Sequence, residues 1–121
     1  MKKTVIIGAS TNPSRFAYLA AERLHEHGVE FVLVGIKKGN VLGQEILDLR
    51  AQPKISDVDT ITLYINPTNQ REWYDYFLKL KPKRVIFNPG TENPELEKLL
   101  EEKNIEALEA CTLVMLGSGQ Y

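Results

Sequence analysis

The segment Thr4-Val5-Ile6-Ile7-Gly8-Ala9-Ser10-Thr11-Asn12-Pro13-Ser14-Arg15 decides the architecture. Thr4 to Gly8 is a short run rich in β-branched residues. Such a run, with no polar alternation, reads as a strand buried on both faces of a parallel sheet. Gly8 permits a tight exit from that strand. Asn12-Pro13 then marks a helix start, with Asn12 as N-cap and Pro13 at the first helical position. Phe16, Ala20 and Leu24 fall on one helix face, with Ala17 and Ala21 beside them. Gly28 closes the helix as its C-terminal cap.

Outward from this unit the alternation continues. Phe31 to Val34 reads as the second strand. Ile61 to Ile65 is the third, closed by Asn66-Pro67. A helix is expected from Gln70 to Leu80. Asn69 and Glu72 stand at capping-box spacing, and Trp73, Tyr76, Phe77 and Leu80 form a core-facing stripe. Arg84 to Phe87 is the fourth strand. Asn93-Pro94 starts another helix, with Leu96, Leu99 and Leu100 as its apolar face. Glu95 and Glu97 lie near its positive end and Lys103 near its negative end. Ile105 to Leu108 is the fifth strand, at an edge. Between Lys37 and Asp59 there are turn signals at Gly39-Asn40 and Gly43, and Ile46, Leu47 and Leu49 suggest one short helical turn.

This pattern predicts a Rossmann-like, doubly wound α/β fold over residues 1–121 as one domain, in three αβα layers. The expected sheet is parallel and five-stranded, in the order 3-2-1-4-5. Ligands of such sheets bind beyond the C-terminal strand ends, at the topological switch point. That point is expected between strands one and four. The loops Gly8 to Arg15, Asn66 to Asn69 and Asn88 to Thr91 should line it.

Composition narrows the function. The chain has 121 residues, 43% of them hydrophobic, which supports one packed core. Its net charge is −1, from 15 basic and 16 acidic residues, so nothing draws it to nucleic acid or to an anionic membrane. The one cysteine, Cys111, allows no internal disulfide, which suits the cytoplasm. The apolar stretch after Lys2 and Lys3 is cut by Gly8, Ser10, Asn12 and Pro13, so no signal peptide is expected. No apolar run reaches the roughly 20 residues that a membrane span needs. His25 and His27 fit no zinc pattern and suit a helix C-terminus.

The first loop is where chemistry is expected. Ser10 and Thr11 offer hydroxyls, and the helix that follows offers free N–H groups and a positive dipole end, a ready phosphate site. Arg15 disfavours the dipole there unless it meets an anion. The full dinucleotide fingerprint is absent, since Ser10 and Pro13 stand where glycines would. The second strand ends in Val34-Gly35-Ile36-Lys37-Lys38, without the acid that NAD binders use. Lys37 and Lys38 suit an extra ribose phosphate, as in coenzyme A or NADP. They also read as solvated turn residues.

Taken together, Gly8 to Arg15, Leu42-Gly43, Asn66-Pro67, Asn88-Pro89-Gly90 and Cys111 resemble the small bacterial CoA-binding domain proteins. That family is similar to the N-terminal domain of the succinyl-CoA synthetase alpha subunit. The resemblance implies that Gly8, Ala9, Ser10, Thr11 and Arg15 hold the phosphates of coenzyme A. It implies that Val34 to Lys37, with Gly35, Ile36 and Lys37 as contacts, border the adenosine, that Ile65, Asn66 and Pro67 pack near the nucleotide, that Pro89 and Gly90 line the pantetheine path, and that Asn88 before them belongs to the cofactor-binding set. The family commonly has a proline where this chain has Ile36. Cys111 is expected on the ligand side of the sheet, either inert or able to form a mixed disulfide with the coenzyme thiol.

No Ser–His–acid set, metal cluster or Walker loop appears in the sequence. The phosphohistidine of succinyl-CoA synthetase-like enzymes comes from another domain. The expected function is therefore binding of coenzyme A or an acyl-CoA without catalytic machinery of its own, as a carrier, sensor or regulatory subunit. An NADP-dependent oxidoreductase and an interaction domain that has lost its ligand are the alternatives. Leu113 to Leu116 form a candidate surface for a second copy or another protein partner, and equally a candidate to close the core.

Overall fold

The computed structural model describes residues 2–121. Its centre is β1 (Thr4–Ile7), paired in parallel with β2 (Phe31–Gly35) on one side and β6 (Thr60–Leu63) on the other. Beyond β6 lie β7 (Arg84–Phe87) and then β8 (Glu106–Glu109), also parallel. Every residue of β1, β6 and β7 is buried. Both faces of these strands are covered, which is why their sequences run apolar rather than alternating.

A short crossover holds the hairpin β3 (Asn40–Val41) and β4 (Gln44–Glu45), then β5 (Leu47–Asp48), which joins the free edge of β2. Among the described residues the main sheet therefore has six strands, in the order β5-β2-β1-β6-β7-β8. The expected five strands become six because Leu47–Asp48 pairs as a strand where a helical turn was anticipated. Two residues carry no readable periodicity, and the open edge of β2 decides their conformation. The segment expected as the third strand lies inside the sheet beside β1, not at its edge. With β5 counted as third, the order reads 3-2-1-4-5-6, and the doubly wound, three-layer class stands. The switch point then falls between β1 and β6.

One face is covered by α1 (Phe16–Glu26) and α5 (Thr112–Gly117), which pack Ala17, Ala21, Leu24 and Leu116 on Ile6 and Leu33. The other face is covered by α2 (Pro67–Gln70), a 3₁₀ turn at Arg71–Trp73, α3 (Tyr74–Lys79) and α4 (Pro94–Glu102). Phe77, Leu96 and Leu100 there meet Val5, Ile61, Val85 and Phe87. Each such fully buried large side chain contributes about 1.5–3 kcal/mol relative to exposure. Leu116 closes the core, whereas Val114 on the same helix is 65% exposed.

Helix starts differ from expectation at two places. Asn12 Oδ1 accepts from Ser14 N at 3.0 Å and from Ser14 Oγ at 2.8 Å, and Asn12 O accepts from Arg15 N at 3.0 Å. These bonds hold a turn in competition with a helix. Consequently α1 begins at Phe16, and Arg15 takes the N-cap position in extended geometry. Phe16 is then 68% exposed instead of facing the core. In the second case Asn66, not Asn69, is the cap: its side chain accepts from Asn69 N at 2.9 Å, with Pro67 at the first helical position. Gly28 follows α1 with φ +68°, the conformation expected of its C-terminal cap.

Candidate functional site

A cleft of about 630 Å³ opens at the C-terminal ends of β1, β2, β6 and β7. This is a size typical of small-molecule sites. Its floor is Gly8, Ala9 and Gly35. Gly8 has φ +96°, which lets the chain turn sharply out of β1. A Cβ on Gly35 would lie 2.8 Å from Ala9 O, so the exit of β2 can sit against the first loop only if residue 35 has no side chain.

The cationic groups of the cleft are Arg15, Lys37 and Arg50. Arg15 stands at the N-cap of α1, where no side chain caps the first turn. The leading N–H groups of α1 therefore remain open to an anion, with the positive end of the helix dipole behind them. Ser10 borders the same space, and its Oγ accepts from Asn12 N at 3.0 Å. Apolar flanks come from Phe16 and Ile36, which are 68% and 60% exposed. Two large apolar side chains left open beside one cleft are a sign of a ligand surface. Trp73, Tyr64 and Ile65 continue the apolar lining, and Glu72, Asn69 and Thr91 add polar groups.

Of the residues expected at the site, Gly8, Ala9, Ser10, Arg15, Gly35, Ile36, Lys37, Ile65 and Pro89 come together in this lining. Thr11 stays outside it, exposed, with its methyl against Gly39. Asn66 and Pro67 are occupied in starting α2. Gly90 is exposed and donates its N–H to Glu92 Oε1 at 2.8 Å. Cys111 is half-buried at the N-cap of α5, also outside the lining. Asn88 lies beneath the cleft. Its Nδ2 donates to Thr62 Oγ1 at 2.7 Å and to Leu63 O at 2.9 Å, and its Oδ1 accepts from Thr112 N at 2.9 Å. Asn88 thus pins α5 to the sheet.

Several lining residues were not anticipated. Arg50 arrives on a 3₁₀ turn (Leu49–Ala51) after β5 and depends on a strand pairing that sequence periodicity does not show. Trp73 reads as core by spacing, but the 3₁₀ turn rotates it, half-buried, toward the cleft. Tyr64 reads as one more residue of an apolar strand. Its hydroxyl is buried and has no hydrogen-bond partner among the described residues, and the nearby Thr62 and Thr112 hydroxyls pair with each other at 2.8 Å. Burial pushes the Tyr64 phenol up to about 12.

A buried amide holds the two far loops in place. Gln70 is fully buried, and its Nε2 donates to Ile65 O at 2.9 Å and to Thr91 O at 2.8 Å. Asn93 Nδ2 in turn donates to Gln70 Oε1 at 2.8 Å. His25 and His27 lie at the last turn of α1, the helix end away from the cleft.

No curated protein matches the chain. Among solved structures, the crystal structure of an uncharacterized protein is 60% identical over 100% of this chain and 98% of the other, with a TM-score of 0.97. A hypothetical protein from Pyrococcus horikoshii OT3 is 26% identical over 97% of this chain and 82% of its own, with a TM-score of 0.83. A protein from Thermus thermophilus is 23% identical over 99% and 90% of the two chains, with a TM-score of 0.81, and at that identity shows the shared fold alone. The family model described as a CoA binding domain matches residues 2–117, which include the first loop, the cleft and all six strands of the main sheet. On that match the chain belongs to the CoA-binding domain family.

Proposed function

We propose that this chain binds coenzyme A, or an acyl-CoA, in the cleft at the β1–β6 switch point, and that it acts as a binding module. The observation that carries this reading is the uncapped N-terminus of α1 opening beside Arg15 and Lys37 in one cleft. An anion-accepting helix end, flanked by cations and apolar strips, suits a ligand with a phosphate-rich end and a long, weakly polar arm. Bound coenzyme A would supply its diphosphate, its ribose phosphate and a pantetheine thiol.

The residues have distinct parts in this reading. In the loop from Gly8 to Arg15 most backbone N–H groups are already bonded within the protein, so the Ser10 N–H, the leading N–H groups of α1 and the Arg15 guanidinium hold the diphosphate. Gly35 to Lys37 border the adenosine. Ile65, with Asn66 and Pro67 behind it, supports the nucleotide, and Pro89 and Gly90 guide the pantetheine arm. Trp73 and Phe16 exclude water along the apolar flanks. The cleft side chains hold no paired nucleophile and base, and Ser10 is engaged in its own turn. A carrier, sensor or regulatory role is consistent with a site built to hold a ligand.

Trp73 is the chain's one tryptophan and lines the cleft, so its fluorescence reports on occupancy. Coenzyme A, NADP and ATP should each be titrated by calorimetry and by Trp73 emission. Coenzyme A is expected to bind most tightly and to change the emission. NADP binding without coenzyme A binding would overturn the proposal.

A further inference from the structure

The geometry points to Arg50 as the residue that reads a phosphate monoester on the adenosine ribose, a specificity element for the ligand rather than a general phosphate contact. This inference rests on the coenzyme-binding reading above and names which end of the ligand Arg50 serves.

Arg50 reaches the cleft because β5 adds to β2. Asp48 stands in register with Gly35, which sets Arg50 beside the exit of β2. Its guanidinium is clipped there. Asp48 Oδ1 accepts from Arg50 N at 2.9 Å and from Arg50 Nε at 3.0 Å, and Nη2 donates to Ile36 O at 3.4 Å. Arg50 Nη1 makes no hydrogen bond among the described residues. The side chain is 61% exposed, and an exposed pair of this kind adds little to stability. The clip therefore orients the guanidinium more than it holds the fold. The Arg50 bonds hold the Asp48 carboxyl below the ordinary aspartate value, in keeping with a charged clip.

The two lysines after β2 do not share this role equally. Lys37 lines the cleft, and Lys38 does not. An oriented guanidinium fork also suits a phosphate better than a flexible ammonium does. Arg15 stands at the opening of α1, whereas Arg50 stands at the exit of β2. One cleft thus presents cations from two different strand ends, which fits a ligand that carries a diphosphate and a separate monoester. Coenzyme A carries that monoester at the ribose 3′ position and NADP at the 2′ position.

The test is calorimetry on matched pairs, coenzyme A against dephospho-coenzyme A and NADP against NAD. The proteins are wild type, Arg50→Ala, Asp48→Asn and, as a distant charge control, Lys103→Ala. Wild type is expected to prefer coenzyme A over dephospho-coenzyme A about tenfold. Arg50→Ala should bring the two affinities within about twofold of each other by weakening coenzyme A alone. Asp48→Asn, which keeps Arg50 but loosens its clip, should give an intermediate ratio, and Lys103→Ala should keep the wild-type ratio. An unchanged ratio in Arg50→Ala, or no preference in wild type, would overturn the inference while leaving coenzyme A binding intact. If wild type binds NADP and not coenzyme A, the parent reading falls, and Arg50 is then judged on the NADP to NAD ratio. Binding of neither pair overturns both.

Discussion

The Gln70 side-chain amide donates to the Thr91 carbonyl at 2.8 Å and thereby joins the loop after β6 to the loop after β7. The same nitrogen donates to Ile65 O, so one fully buried side chain sets the spacing of two segments that line the cleft. Replacing Gln70 with Leu would strand the buried Thr91 carbonyl, the part-buried Ile65 carbonyl and one N–H of the Asn93 amide, whose nitrogen also donates to Tyr74 Oη. A loss of about 2–4 kcal/mol in urea unfolding is expected, together with weaker coenzyme A binding. Wild-type stability in this variant would show that the loops hold each other without Gln70.

Gly35→Ala tests the contact between β2 and the first loop. The new Cβ would meet Ala9 O, a backbone atom that cannot swing aside, at 2.8 Å. Relief requires the first loop to move, at a cost of about 1–3 kcal/mol. Coenzyme A affinity should fall more than stability does, because the displaced loop is the one that opens α1. Equal affinity for the ligand in the folded variant would separate that loop from binding.

Tyr64→Phe removes a buried hydroxyl that has no partner among the described residues. Stability is expected to stay level or to rise by up to about 1 kcal/mol, since no hydrogen bond is lost. A clear loss in thermal unfolding would mean that the hydroxyl bonds to Thr62 or Thr112 in solution.

Glu97 gives the fold a pH dependence of defined sign. Burial, followed by the neighbouring Glu109 carboxyl, raises its pKa above the ordinary glutamate value. The folded chain therefore binds more protons than the unfolded chain between those two values, and stability falls as pH rises through that window. Glu97→Gln keeps an oxygen to accept from Asn93 N and removes the charge. The variant should show a flatter stability profile on the acid side of neutrality. An unaltered profile from urea unfolding across the acid range would rule out this source.

Much of the fold was legible because its signals are local. The strand of Thr4 to Gly8, the cap at Gly28, and the Asn93-Pro94 helix start each depend on residues within one turn of one another. The Asn12-Pro13 pair misled for a local reason too: Asn12 closes a turn onto Ser14 and delays α1 to Phe16. At the site, Gly8, Ser10 and Arg15 could be read from one loop. Arg50, Tyr64 and Trp73 could not, since each reaches the cleft through a pairing or a turn whose geometry lies outside its own segment.

The sequence by itself determined that strands and helices alternate, that the sheet is parallel with its central strands buried on both faces, and that the loop from Gly8 to Arg15 leads from the first strand into a helix. Those properties follow from side-chain periodicity, caps and allowed backbone angles, all short-range in the chain. Tertiary structure alone decided that Leu47–Asp48 extends the sheet, that Asp48 aims Arg50 at the exit of β2, and that Gln70 ties two loops together. The edge pairing and the Gln70 tie to Thr91 join residues 13 and 21 positions apart, and the Asp48 clip, though local, reaches the cleft only through that pairing. Their energy exists only after the sheet order has brought those residues side by side.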